Sequence, residues 1–495
     1  MPTIGQPFKG NWNASTNVPA LASGLGPYGG FYRVSVTGNT VLDAVTAWVI
    51  NDLALFDGTY WRKVGADYMD NDIGIAGGIG FGAGVCPPGR LPAGMVPMTN
   101  YNILGADNYG NYQFSDGSVM VYVPKFYYKI GTGTNGLAVN VIDVKGTGTY
   151  PSTVAANAAG YALHRAFIDG GVEKDGFFID KYMISKNALG TGFVGSSIKN
   201  GLPISTGAAH NPATDLTGGV SVYYSLVDLA HRRDGINGLV NVSSIFFCAS
   251  QFQRSALAVL SMAHGQAATG TTYCAWYSAG TTNFPKGCNN DALHDCDDAS
   301  VVYITDGYSN CGQTGSGSPF AKTTHNGQNC GVADLNGLMY EVSLGITYDS
   351  GTSKFYVAKQ ATAMKSFTAG ATAATDHWGA TGIAAMMDEI TLPVFGANGW
   401  IYPGNGANQV LSEAISGNSW LLTGLGVPKD TNAVGAGTAL FGVDGQYWIH
   451  TNQLCLLASA GWNDGTRAGV WSLGWDGSRT DNYYLGGGRF GTYPV

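Results

Sequence analysis

Charge is what this sequence has least of: only 12% of its 495 residues are Asp, Glu, Lys or Arg, and no Lys/Arg run occurs. With a formal net charge of -8 it lacks the electrostatic footprint of a nucleic-acid binder or of a protein that adheres to anionic membranes. Long apolar runs are missing too, since the longest fall far short of the ~20 residues a spanning helix needs. Membrane insertion is therefore not expected. Met1 to Trp12 has no charged region followed by an apolar one, so synthesis in the cytoplasm without a Sec-type route is the expectation. Cysteine is sparse. Cys274, Cys288, Cys296, Cys311 and Cys330 crowd one stretch, but none of the eight cysteines are spaced CxxC, which leaves a zinc site unsupported. Free buried thiols are expected of a chain folded in a reducing cell, with disulfides formed after release as the alternative.

Glycine is abundant instead, at 74 residues, about double the usual share, and it follows no G-X-Y period. Collagen is excluded and many tight turns are implied. Hydrophobic residues at 45%, with Tyr 27 and Trp 11, point to a folded, β- and turn-rich protein with aromatic surfaces. The length exceeds one ordinary domain.

Three segments are expected. Residues 1–65 read as a small antiparallel β module: FYRVSVTG alternates at Tyr32, Val34 and Val36, and Asp57-Gly58 between LALF and TYWRKV is a hairpin signal. Residues 66–116, rich in Gly, Pro and Asn, read as an irregular connector. Residues 117–495 read as an α+β domain with two helices, short strands and long loops. In Ser221 to Gly235 the stripe Val222, Leu226, Leu229, Ala230 marks one helix, with His231, Arg232 and Arg233 suited to its C-terminal dipole. In Ser250 to Gly265 the stripe is Phe252, Ala256, Val259, Leu260, Ala263, and Ser250 with Gln253 has capping-box spacing. Leu257 joins Phe252, Leu260, Leu226 and Leu229 in the expected core.

KGNWNAS, YRVSVTG and WVINDLALFDGTYWRKV together resemble a module found at the start of many phage tail fibre proteins, which implies a place on a virion and an attachment role. Segments of residues 117–495 resemble the C-type-lectin-like fold shared by formylglycine-generating enzymes and the variable proteins of diversity-generating retroelements. SVMVYVPKFYYKIG is similar to that family's opening strand and DGFFIDKYMIS to its second, with Asp180, Tyr182 and Ser185 matching. GVADLNGLMYEVS resembles its most diagnostic motif through Gly331, Asp334, Leu335, Gly337 and Glu341. LASAGWNDG and LGGGRFG resemble its closing strands, with an insertion expected at about 348–447. The departures bear on activity. Cys455 stands alone where the oxidising enzymes have a cysteine pair, no histidine cluster is formed by His231, His264 and His450, and Leu338 replaces an Asn that family members can offer to calcium. A binding protein rather than an enzyme is expected, with no cofactor.

The stretch AGWNDGTRAGVWSLGWDGSRTDNYYLGGGRFG has the composition of a paratope, rigid aromatic area among adaptable polar groups. Trp462 matches the family's Trp and is expected in the core. The expected receptor-binding residues are Asp464, Thr466, Arg467, Trp471, Ser472, Gly474, Trp475, Asp476, Gly477, Arg479, Thr480, Asn482, Tyr483 and Tyr484, with the cluster from Ser472 to Tyr484 exposed. Most of these are residues that adenine mutagenesis of Asn-type codons would produce, in a frame of Gly461-Trp462, Ala468-Gly469 and Gly487 to Arg489, as in the retroelement-diversified relatives. The expected protein is thus a virion tail fibre or tail-tip protein, made in the host cytoplasm and exposed after release. Its expected partners are a host-cell surface receptor and other tail proteins, and the resemblance implies a homotrimer. A formylglycine-generating-type enzyme and a purely architectural tail protein are the alternatives. NNDALHDCDDAS groups Asp291, Asp295, Asp297 and Asp298. A solvated acidic loop is expected there, with Ca²⁺ binding as the alternative.

Overall fold

A computed structural model describes residues 8–495 apart from 28–29, 51, 57, 65–71, 88, 190–191, 205–221, 242, 280–284, 308–309, 344, 362–386, 396–397, 405–407, 433–440, 442 and 483–484. The protein is mixed α+β with sheets predominating, and no barrel forms among the described residues. The helices among the described residues are α1 (Thr153–Ala158), α2 (Val222–Arg232), α3 (Gln251–Ala267) and α4 (Gly417–Leu425). None is long and apolar enough to cross a membrane.

Near the N-terminus four strands, Phe8–Asn13, Phe31–Val36, Leu53–Phe56 and Trp61–Val64, pair in chain order. The expected all-antiparallel arrangement needs correcting, because the first two strands run parallel. Residues 14–30 between them are long enough to carry the chain back to its starting end, as a parallel pair requires. The 53–64 hairpin forms in the expected place, but Phe56 pairs with Trp61, so its turn is longer than the two residues Asp57-Gly58 suggest; Asp57 itself lies outside the described residues. A separate hydrophobic cluster fills this unit. Trp12 and Trp48 meet edge to face at 5.0 Å, and Trp61 packs on Phe56 while its Nε1 donates to the carbonyls of Ala22 and Leu25.

The Gly-rich stretch before Gly117 is part of the large unit and not a linker to it. A six-stranded sheet runs in the order Phe247–Cys248, Phe490–Thr492, Gly176–Asp180, Val119–Pro124, Asn111–Phe114, Met95–Pro97, so its last two strands come from that stretch. Ile73, Phe81, Ala83 and Val85 enter the main core, while Met95, Tyr112 and Phe114 of those two strands pack in a separate cluster with Phe178 and Phe246. Side chains from far along the chain satisfy the backbone that lacks a strand partner: His264 Nδ1 accepts from Gly77 N, His325 Nε2 donates to Gly82 O, and Asn326 Nδ2 donates to Phe81 O. A backbone without periodicity is thereby held in place by side-chain hydrogen bonds.

Helices α2 and α3 lie where the stripes put them. Leu226, Leu229, Phe252, Leu257 and Leu260 are all buried, and Ser250 with Gln253 forms the capping box. Arg233 corrects the reading of α2's end. Its side chain leaves the helix terminus for the interior, where it makes a bidentate pair with Asp180 at 2.6 and 2.9 Å in place of an exposed position at the dipole's end.

A seven-stranded sheet completes the unit, in the order Thr431–Asn432, Gly399–Pro403, Gln446–Trp448, Leu473–Gly474, Leu456–Ala458, Tyr340–Ser343, Gly486–Gly487. The region read as an insertion supplies the strand Gly399–Pro403, which pairs with Gln446–Trp448.

Candidate functional site

The motif residues converge on a buried network. Arg489, fully buried, holds Glu341 through Nε and Nη2 at 2.6 and 2.7 Å. It also donates to the carbonyls of Asp180, Ala333 and Asp334. Asp180 accepts from Arg233 and from Phe490 N, and Arg254 approaches Glu341 at 3.2 Å. Burial pushes the Asp334 carboxyl up to about 6, against the nearby Arg489 charge and N–H donors from Gly315 and Met183. Gly337 has φ +75°, and a Cβ there would lie 2.5 Å from Cys288 O, so only glycine fits that turn. These charges lie away from solvent, and Asp334 is held by backbone N–H donors and not by an ion pair. The network fixes where the strands meet and is closed to solvent.

The sheet register builds a different feature on one face. Trp400 pairs with Tyr447, Tyr447 with Gly474, Gly474 with Leu457 and Leu457 with Val342, so these five form one row across the sheet. Their neighbours Ile401, Gln446, Leu473, Ala458 and Glu341 line the opposite, buried face. Leu457 and Val342 share a hydrophobic cluster with α2, whereas Trp400 and Tyr447 are half-buried. This open end is an aromatic ledge. The Trp400 and Tyr447 rings stand edge to face at 5.2 Å, the Arg467 guanidinium lies 4.7 Å over the Trp400 ring, and Arg467 Nε donates to Tyr402 Oη at 3.3 Å. At Gly445 a Cβ would come within 2.7 Å of the Trp400 ring and 3.3 Å of Arg467 Cβ, so the bare backbone lets the stack form.

Asp464, which feels the charge of Arg467, and Asp476, whose Oδ1 lies beside Gly474 of the row, are both half-buried. Burial raises the pKa of each. For Asp464, hydrogen bonds from Gly461 N–H and Tyr340 oppose the shift; for Asp476, the charges of Asp481 and Asp464 add to it. Asn463, Thr466 and Arg467 are exposed. The ledge therefore presents flat aromatic area, a cation–π pair worth ~0.5–2 kcal/mol to its own rigidity, and hydrogen-bonding groups of both polarities.

The expected site divides on the structure. Thr466, Arg467, Thr480 and Asn482 are exposed, and Asp464 and Asp476 are half-buried. Trp471, Ser472, Gly474, Trp475, Gly477 and Arg479 are buried, which corrects the expected exposure of Ser472, Gly474, Trp475, Gly477 and Arg479. Trp475 packs on Trp448 at 4.6 Å and donates from Nε1 to Gln446 Oε1; Trp471 packs on Phe441. A short polar-aromatic stretch reads as surface because its composition cannot show that the rings meet partners from residues 441–448. Tyr483 and Tyr484 lie outside the described residues. Trp462 is in the core. Trp400, Tyr402 and Tyr447 escape notice as site residues in the sequence; the alternation of GWIYP is the one signal available for Trp400 and Tyr402, and Tyr447 has none.

The acidic loop is less solvated than expected. Asp295 is 1% exposed, and its oxygens accept from the backbone N–H groups of Asp297, Asp298 and Gly287 and from Asn289 Nδ2. Asp295, Cys296 and Asp297 are nonetheless a group among the described residues whose ligand atoms lie within 4.8 Å of one another. Seven of the cysteines are buried, and burial pushes the Cys455 thiol up to about 12.

Neither a protein-family model nor a curated protein sequence matches the chain.

Proposed function

We propose that the chain is a virion tail fibre or tail-tip protein that binds a host-cell surface receptor through the ledge of Trp400, Tyr447 and Arg467 with Asp464, Thr466 and Asp476. The observation that carries this reading is the exposed Arg467 over the half-buried Trp400 ring, with Tyr447 edge to face beside it, on the open end of the sheet. Aromatic and Arg anchors on a stiff support are the usual source of binding energy at an interface. The tail-fibre-like N-terminal segment supports a place on the virion. The meeting of Asp180, Asp334, Gly337, Glu341 and Arg489 supports the likeness to the C-type-lectin-like fold, in which those motif positions are shared. A homotrimer would repeat the ledge three times and raise a weak contact through effective concentration. Diversification by a retroelement is supported by the contrast between the buried frame residues Gly461, Trp462, Ala468, Gly469 and Arg489 and the exposed Thr466, Arg467, Thr480 and Asn482, whereas the buried Ser472, Gly474 and Gly477 do not share it.

A binding role fits the chemistry better than a formylglycine-generating one. A nucleophilic cysteine needs thiolate character and access, and burial denies both to Cys455.

The test is adsorption of the labelled protein to a panel of bacterial cells, with W400A and R467A compared at matched thermal melting. Both variants are expected to lose about tenfold or more in affinity, the effect of removing an anchor. Unchanged adsorption by both folded variants would place the receptor site elsewhere.

A further inference from the structure

An open cleft of the large unit shares no residue with the ledge. It holds about 610 Å³, within the range of about 300–1,000 Å³ typical of small-molecule sites. One wall is α4, the other the hairpin Ile168–Asp169 to Val172–Glu173, and the floor is Arg165 beside the end of the strand Lys354–Ala358. We propose that this cleft binds a neutral saccharide, with the apolar face of a pyranose on the Trp420 ring and its hydroxyls on Asp388 and Lys359.

The walls are rigid. Trp420 Nε1 donates to Leu163 O at 2.9 Å, which fixes the indole and leaves it a half-exposed ring to offer. Arg165, 7% exposed, stacks 4.7 Å over Phe252 and donates to the carbonyls of Ile168, Ala358 and Lys359. Gly170 N donates to Lys359 O at 3.0 Å and ties the hairpin to the floor. Its turn residues Gly170 and Gly171 have φ +59° and +77°, and a Cβ at Gly171 would meet nothing within 4 Å, so the lip stays open.

Polarity selects the ligand class. Asp388 Oδ1 and Lys359 Nζ sit 3.5 Å apart at the rim, an acceptor and a donor side by side as adjacent sugar hydroxyls require. The two cations, Arg165 and Lys359, are matched by Asp388 and by the buried Asp169. A local charge near zero favours an uncharged polyol over a phosphate or an acidic sugar. An aromatic face with a polar rim and no excess charge is what a pyranose, apolar on one face and hydroxylated round its edge, would fill.

The full chain should be titrated with D-glucose, D-galactose, D-mannose, N-acetyl-D-glucosamine and, as the anionic comparison, N-acetylneuraminic acid, by saturation-transfer NMR and calorimetry. At least one neutral sugar is expected to saturate with a Kd on the order of 1 mM. D388A, which alters an exposed side chain, should weaken that binding about tenfold or more. W420F, which keeps a smaller ring in place, should weaken it less and serves as the second variant. The proposal is overturned if no neutral sugar saturates by about 50 mM, if the acidic sugar binds more tightly than all four, or if D388A and W420F bind as the wild type. The site does not depend on the receptor reading: loss of sugar binding in D388A with adsorption intact in that variant would separate the two.

Discussion

Trp475 and Thr480 stand five positions apart in a stretch of uniform composition, yet one is fully buried and the other exposed. Pairing separates them. Trp475 follows the strand Leu473–Gly474 and drops onto Trp448, whereas Thr480 sits in a turn where its N–H bonds to Ser478 Oγ. Truncating a buried Trp removes its transfer energy and leaves a cavity, so W475A is expected to lose about 3–5 kcal/mol. T480A is expected to stay within about 0.5 kcal/mol of the wild type. Urea unfolding of the two variants checks this, and similar midpoints for both would mean that Trp475 is not core. What the sequence could not reveal at this scale is contact across distance. Trp400, Tyr447 and Arg467 belong to three separate segments, and none of the three has a neighbour in sequence that hints at the others.

Elements with a period were legible. The apolar stripes of α2 and α3 and the Ser250–Gln253 box name their own helices, because a repeat of 3.6 has no other use for its apolar residues. The stretch from Asp72 to Asp116 has no period and lies within the segment, residues 66–116, that reads as a connector. Its order comes from partners elsewhere, among them His325, whose Nδ1 accepts from Val332 N while its Nε2 bonds Gly82 O. Both ring nitrogens are committed in the neutral form, and burial lowers the imidazole to about 3 from its ordinary value near 6.5. The sign follows from linkage. Below about pH 6.5 the unfolded chain takes up a proton that the folded chain refuses, so this contribution is present in full above that pH and is lost as pH falls toward 3. The slope is about 1.4 kcal/mol per pH unit for one such group. H325Q, although less stable throughout, is expected to show a stability–pH curve between pH 6 and 4 that is shallower by about that slope. Parallel curves for wild type and H325Q would show that His325 is not the neutral clamp described.

At the scale of the whole molecule, two sheets meet through the buried network of Arg489, Glu341, Asp180 and Arg233, and the last strands close onto the second strand of the opening motif. That closure makes the seven-stranded sheet a firm support, and α2 covers one end of its outer row and leaves the other for the ledge. The α+β class was legible in composition and in the mix of periods; the outer row was not, because register decides which residues share a face and a strand of three residues carries almost no register signal. The most direct measurement of the receptor claim is hydroxyl-radical footprinting of the chain free and bound to adsorbing cells. The expected result is protection of Trp400, Tyr447 and residues 464–467 on binding, with unchanged labelling at the exposed N-terminal residues Val18 and Leu25. Protection confined to the N-terminal module, with the ledge labelled equally in both states, would contradict it.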